Sequence, residues 1–156
     1  MKHLTSDIRK RLLSSLGTAN KASEISFLLD DIRAATYIAS ADLKPLLERL
    51  SYYSPEFAAT VAGCRGDSLR EVVKEAQELV KEAEPIKVEM SYNPSADFAK
   101  GLYDIFQSLG YENFLFDFTV TPEVGHGARF YHKGNFLDVS MFDLIKEKIK
   151  GINLGM

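Results

Sequence analysis

The chain has 156 residues and a mass of 17.5 kDa, enough for one ordinary domain or two small ones. Its content of 46% hydrophobic and 26% charged residues is that of soluble globular proteins and excludes disordered and coiled-coil classes. A net charge of −3, with Lys and Arg dispersed among Asp and Glu, argues against nucleic-acid binding, and the single cysteine, Cys64, excludes an intrachain disulfide and the usual thiolate zinc sites.

No stretch approaches the roughly 18 to 20 apolar residues that cross a bilayer. The segment Met1-Lys2-His3-Leu4-Thr5-Ser6-Asp7 leads into a charged helix instead of an apolar signal core, so a cytoplasmic location is expected.

Over residues 5–84 the apolar positions recur at helical spacing, and their punctuation separates five segments. The first carries Ile8, Leu12, Leu13 and Leu16 and stops at Gly17. The second starts near Ser23 and buries Ile25, Leu28, Leu29 and Ile32, the stripe of an amphipathic helix. Asp42 is placed to cap a short third helix with Leu43, Leu46, Leu47 and Leu50 inside, and Pro45 is acceptable in its first turn. Ser54 and Pro55 open a fourth around Phe57 and Val61, closed by Gly63-Cys64-Arg65-Gly66. Ser68 and Glu71 form a capping-box pattern for the longest helix, whose inner face is Leu69, Val72, Val73, Ala76, Leu79 and Val80, and which ends at Pro85.

Beyond Pro85 the period becomes alternating, which marks the expected boundary between a helical bundle over residues 1–84 and a second domain over 85–156. Val88, Met90 and Tyr92 alternate with Lys87, Glu89 and Ser91, as in a strand with one buried face. Pro94 precedes a helix with Phe98, Leu102, Ile105, Phe106 and Leu109 on its inner side, stopped by Gly110. The clearest strand follows, with Phe114, Phe116, Phe118 and Val120 on one face and Leu115, Asp117 and Thr119 on the other. After the loop from Thr121 to Gly127, two short strands over 128–132 and 136–139 flank the tight turn Lys133-Gly134-Asn135. Ser140 can cap a last helix with Met141, Leu144, Ile145 and Ile149 inward. The fold class is therefore α+β: a helical bundle followed by a two-layer βαββα unit, with helices over one face of a mixed sheet and the other face wet.

Few residues suggest chemistry. Gly125-His126-Gly127 places a histidine on a glycine-flanked loop, suited to a base or an anion cradle, but no nucleophile with an orienting partner stands at a recognisable spacing, and glycines also serve to turn the chain. His126 and His132 with Asp138 would make a three-ligand metal set, yet alternation puts His132 beside Phe130 and Ala128, as a hydrogen-bonded histidine half inside the core. Asp117, Glu123 and Asp138 form no obvious carboxylate pair and read as solvated or turn-capping, and Cys64 as a small packing residue. No catalytic residue, cofactor or metal is assigned.

The end of the chain carries a more specific pattern: Pro122, the turn at Gly125-His126-Gly127, the hairpin glycine Gly134, then Asp138-Val139-Ser140 and a helix. This resembles the C-terminal domain of the delta subunit of rotary F-type ATP synthases and its mitochondrial oligomycin-sensitivity counterpart, which ends in a proline, an Ile-Gly-Gly turn, a hairpin, an Asp-x-Ser and a helix. Gly127 falls on a family glycine, whereas His126 departs from the pattern, and the resemblance covers about residues 86–150. It implies a non-catalytic stator connector. The helical half would grip the N-termini of alpha subunits, and the C-terminal half the b subunits of the peripheral stalk, so the chain would be peripheral to the inner face of the membrane through the complex alone. Pro122, Gly127, Gly134, Asp138 and Ser140 would then be structural. The alternatives are a small enzyme or anion-binding domain built on the Gly125-His126-Gly127 loop, and an unrelated peptide-binding adaptor.

Overall fold

A computed structural model describes residues 4–139; the last helix expected from the sequence, with its cap Ser140, lies outside the described residues. The helical half comprises α1 (Ser6–Leu16), α2 (Ala19–Ala35), α3 (Lys44–Tyr53), α4 (Pro55–Gly63) and α5 (Gly66–Glu82). The sheet half follows as β1 (Glu84–Met90), α6 (Ala96–Ser108), β2 (Phe114–Val120), a 3-10 turn (Pro122–Val124), β3 (Arg129–His132) and β4 (Asn135–Asp138). The protein is α+β, helices first and a small mixed sheet after them.

Local chemistry sets the helix starts. Thr5, Thr18 and Ser95 accept hydrogen bonds from the amides of Ile8, Lys21 and Phe98 at 3.3, 3.3 and 3.1 Å, so each offers an otherwise orphaned N–H a partner. Thr18 thereby begins α2 ahead of Ser23, where the apolar stripe alone placed its start. Asp42 accepts from the Lys44 amide at 3.0 Å, one position earlier than a cap proper. Ser68 does not cap α5: the helix begins at Gly66, and the Ser68 hydroxyl accepts from the Arg65 amide at 3.2 Å from inside the first turn.

The inner face of α5 is the one its periodicity selects: Leu69, Val72, Val73, Ala76, Leu79 and Val80 are all buried. They meet Ile25, Leu28, Leu29 and Ile32 of α2 and Phe57 and Val61 of α4 in a hydrophobic core that continues without a break into Ile86, Val88 and Phe116 of the sheet. The change from helical to alternating period falls where expected, with only Ala83 between α5 and β1, but the core crosses that point. Pro85 lies inside β1, opposite Leu115 of β2.

The strand order is β2-β1-β3-β4. β1 and β2 are parallel, with Ile86 opposite Phe116, and are connected through α6; β3 is antiparallel to both β1 and β4. The free edge of β2 is met by the α1–α2 turn, where Gly17 takes a positive φ of 62° and its carbonyl accepts the Phe116 amide at 3.0 Å. A side chain at position 17 would be strained in that conformation.

Three expectations about faces are corrected. Leu115 is buried, because α2 and α5 close over that end of the second face: with Ala22, Ser26 and Val80 it lines one small cavity. The wet part of that face begins at Asp117. On α6 the buried positions are Ala99 and Tyr103, with Leu102 and Phe106 half-buried, whereas Phe98, Ile105 and Leu109 are 42%, 57% and 68% exposed. Tyr103 stacks on Phe114 at 4.4 Å between ring centroids and Phe106 meets Phe116 edge-on at 5.2 Å, and this aromatic packing fixes which side of the helix faces the sheet. Tyr92 is likewise exposed, because β1 ends at Met90, whose carbonyl accepts the Thr121 amide at 2.7 Å.

Replacing Phe116, which is fully buried, with Ala leaves a cavity at the junction of helices and sheet and is expected to lower the unfolding free energy by about 3–5 kcal/mol in urea titrations. Burial, with Asp104 adding to it, pushes the Tyr103 hydroxyl up to about 12. Its neutral form is thus favoured by folding, and that stabilisation is complete below the unfolded value near 10 and is lost as pH rises toward 12. Ultraviolet titration should show one tyrosine that ionises only near the alkaline unfolding transition.

Candidate functional site

Pro122 opens the 3-10 turn, and Val124 at its end is fully buried as a plug under the loop. Gly125 and Gly127 then take positive φ of 67° and 111°, conformations that suit glycine, and carry the chain back toward β3 with the His126 side chain exposed between them. The hairpin beyond is a two-residue turn in which Lys133 and Gly134 have φ of 49° and 78°. Positive φ at both central residues is the type I′ arrangement, whose twist matches that of paired strands.

The hairpin is tied down by charge. Glu84, at the start of β1, receives the Lys133 ammonium at 2.7 Å and faces His132 Nε2 at 3.1 Å. Lys133 first and His132 second hold the Glu84 carboxyl below the usual carboxylate range. On the opposite face Arg129 Nε donates to Asp138 at 3.1 Å, and the Tyr131 hydroxyl donates to Glu89 at 3.1 Å. Lys87 is 3.1 Å from the other Glu89 oxygen and is the main reason that the Glu89 carboxyl also lies low.

The residues considered for chemistry are therefore kept apart. Strand alternation puts His132 with Phe130 on the α6 side of the sheet and Asp138 with Arg129 on the other, while His126 projects from a loop. Among the described residues no three His, Cys, Asp or Glu side chains gather into a metal-binding group. Cys64 is half-buried against the core and donates its thiol to the Thr60 carbonyl at 3.2 Å. Of the residues that carry the terminal pattern, Pro122, Gly127 and Gly134 occupy turns and Asp138 an ion pair; Ser140 is outside the described residues.

A surface expected to lie in the core stands out instead. Phe98, Leu102, Ile105 and Leu109 follow one another at spacings of four, three and four along α6, and all but the half-buried Leu102 are exposed. Exposed Leu137 lies on the same side of the sheet, opposite Phe130 in the β3–β4 ladder. Single exposed apolar residues are ordinary, but a row along one helix is the shape that receives another helix. The signal was present in the sequence: α6 carries two apolar arcs, Ala99-Tyr103-Phe106 and Phe98-Ile105-Leu109, more than one contact with a sheet can bury.

No model of a known protein family matches the chain, and no curated protein matches it. Among the described residues no helix is long and apolar enough to cross a membrane.

Glu84 gives a test of the hairpin geometry. Its lowered value means that the ionised form is stabilised by folding, a contribution present above the ordinary glutamate value and lost as pH falls through the folded one. Carboxyl NMR titration should place its midpoint below the ordinary glutamate value. Lys133→Gly, which suits the positive φ there, should move it up.

Proposed function

We propose that the chain is a non-catalytic connector, and specifically a stator subunit that ties the catalytic head of a rotary proton-translocating ATP synthase to its peripheral stalk. The observation that carries the reading is the exposed apolar row on α6, which offers a partner helix an anchoring surface while the other arc of the same helix is spent on the sheet. The turn and hairpin positions of Pro122, Gly127 and Gly134, in a β-α-β-β order, support the resemblance of this half to the last domain of the delta subunit.

In this reading α6 binds the helical b subunits of the stalk, the helical half binds the N-termini of alpha subunits, and the chain stays at the inner membrane face through those partners. A connector of this kind resists the torque of the rotor through packed area and a few buried anchors; no reacting group is needed. His126 then has no role in turnover, and His126→Ala should leave partner binding intact.

The experiment is a pull-down with the tagged chain from membranes of the source organism, read by mass spectrometry. Alpha, beta and b subunits are expected in the bound fraction. Phe98→Glu combined with Ile105→Glu, which places two charges on an already exposed face, should cut recovery of b by about tenfold or more while thermal stability is kept. Absence of all three subunits from the wild-type fraction would rule the proposal out.

A further inference from the structure

A cavity of about 580 Å³ opens where three distant segments meet: the α1–α2 turn, the start of α4 and the start of α6. Its lining combines Ser14, Thr18, Lys21, Ser54 and Lys100 with apolar Leu16, Pro55 and Ala99. Residues of the first turns of α4 and α6 and the N-cap of α2 thus border one space, and each helix start contributes a partial positive charge there.

Converging helix ends alone would not define a site; Ser54 supplies the second observation. It is 3% exposed and sits at the N-cap position of α4, yet its side chain makes no capping hydrogen bond. Among the described residues its hydroxyl has no partner at all, although it borders the cavity. The hydroxyl is thus open toward the cavity, free to bond a group that enters it. Pro55 has no N–H, and the next amides of the first turn of α4, those of Glu56 and Phe57, have no side-chain cap.

Charge narrows the ligand. Arg11 is spent between Asp7 at 3.0 Å and Glu56 at 2.6 Å. Lys21 and Lys100, by contrast, have no ion-pair partner among the described residues; of the two carboxylates in the lining, Glu56 shares Arg11 with Asp7, and Asp97 is the other. Two free ammonium groups, an unpaired hydroxyl and uncapped amides are the donor set that phosphate oxygens require, and Leu16, Pro55 and Ala99 give an adjoining carbon body a dry wall.

We propose that this cavity binds a small organic phosphate, its phosphate held by Ser54, Lys21, Lys100 and the start of α4. The inference is independent of the connector reading, because none of the α6 residues invoked for the stalk lines the cavity.

Backbone-amide NMR of the full chain, titrated at fixed ionic strength with inorganic phosphate and separately with phenyl phosphate, tests it. Saturable shifts confined to residues 14–21, 54–57 and 96–100 are expected, with phenyl phosphate the tighter of the two. Lys21→Gln with Lys100→Gln, both on exposed side chains, should weaken binding about tenfold, and Ser54→Ala severalfold. The proposal is overturned if neither probe saturates by tens of millimolar. It is overturned equally if the double-lysine variant binds as tightly as the native chain, or if sodium chloride reproduces the shifts. A Ser54→Ala chain that fails to fold leaves the lysine variant as the deciding measurement.

Discussion

The position of Phe116 constrains everything around it. Its amide bonds to the carbonyl of Gly17 in the turn between the first two helices, and its ring is enclosed by Ile86 across the parallel ladder and by Tyr103 and Phe106 of α6. A backbone bond and a ring from one residue thus join the outer edge of the sheet, the helix that covers it and the helical bundle. Phe114, two residues earlier, repeats the aromatic half of this arrangement through its stack with Tyr103. The helices cannot shift against the sheet without exposing these rings, so their placement follows from the junction.

How much of this the sequence contained depends on the number of ways each element could be satisfied. α5 has one continuous apolar stripe and one polar face, so its periodicity determined every buried position. β2, with phenylalanine at alternate positions, was equally plain about its inner face as far as Phe118, but Val120, expected on that face, is exposed at the strand's end. α6 has two apolar arcs, and nothing in its own residues decides which one meets the sheet; Tyr103 stacking on Phe114 decides it, and that is a tertiary event. Leu115 was misplaced for the same reason: strand alternation assigns it to a wet face, and only the approach of α2 and α5 buries it.

The site residues divide along the same line. The turns at Pro122, Gly127 and Gly134 were legible because proline and glycine act through their own backbone. The pairing of Asp138 with Arg129 follows from the hairpin register, once that register is known. The cavity at Ser54 was not legible at all, since Ser14, Lys21, Ser54 and Lys100 are brought together by three separate chain reversals. Ser54 itself read only as the residue that, with Pro55, opens the fourth helix. Exposed ion pairs such as Lys133 with Glu84 add little stability individually, and their effect is to hold the hairpin in one orientation over the end of β1.

The single residue between α5 and β1, together with a core that runs through both halves, has a mechanical consequence. A chain with a loose connection at this point would act as a joint, whose halves swivel and stretch the intervening segment under load. Here a pull on the helices reaches the strands through packed side chains, and there is no slack peptide to take up the strain. Under a load the two halves would respond together, because the side chains that would have to separate are the ones that form the common core.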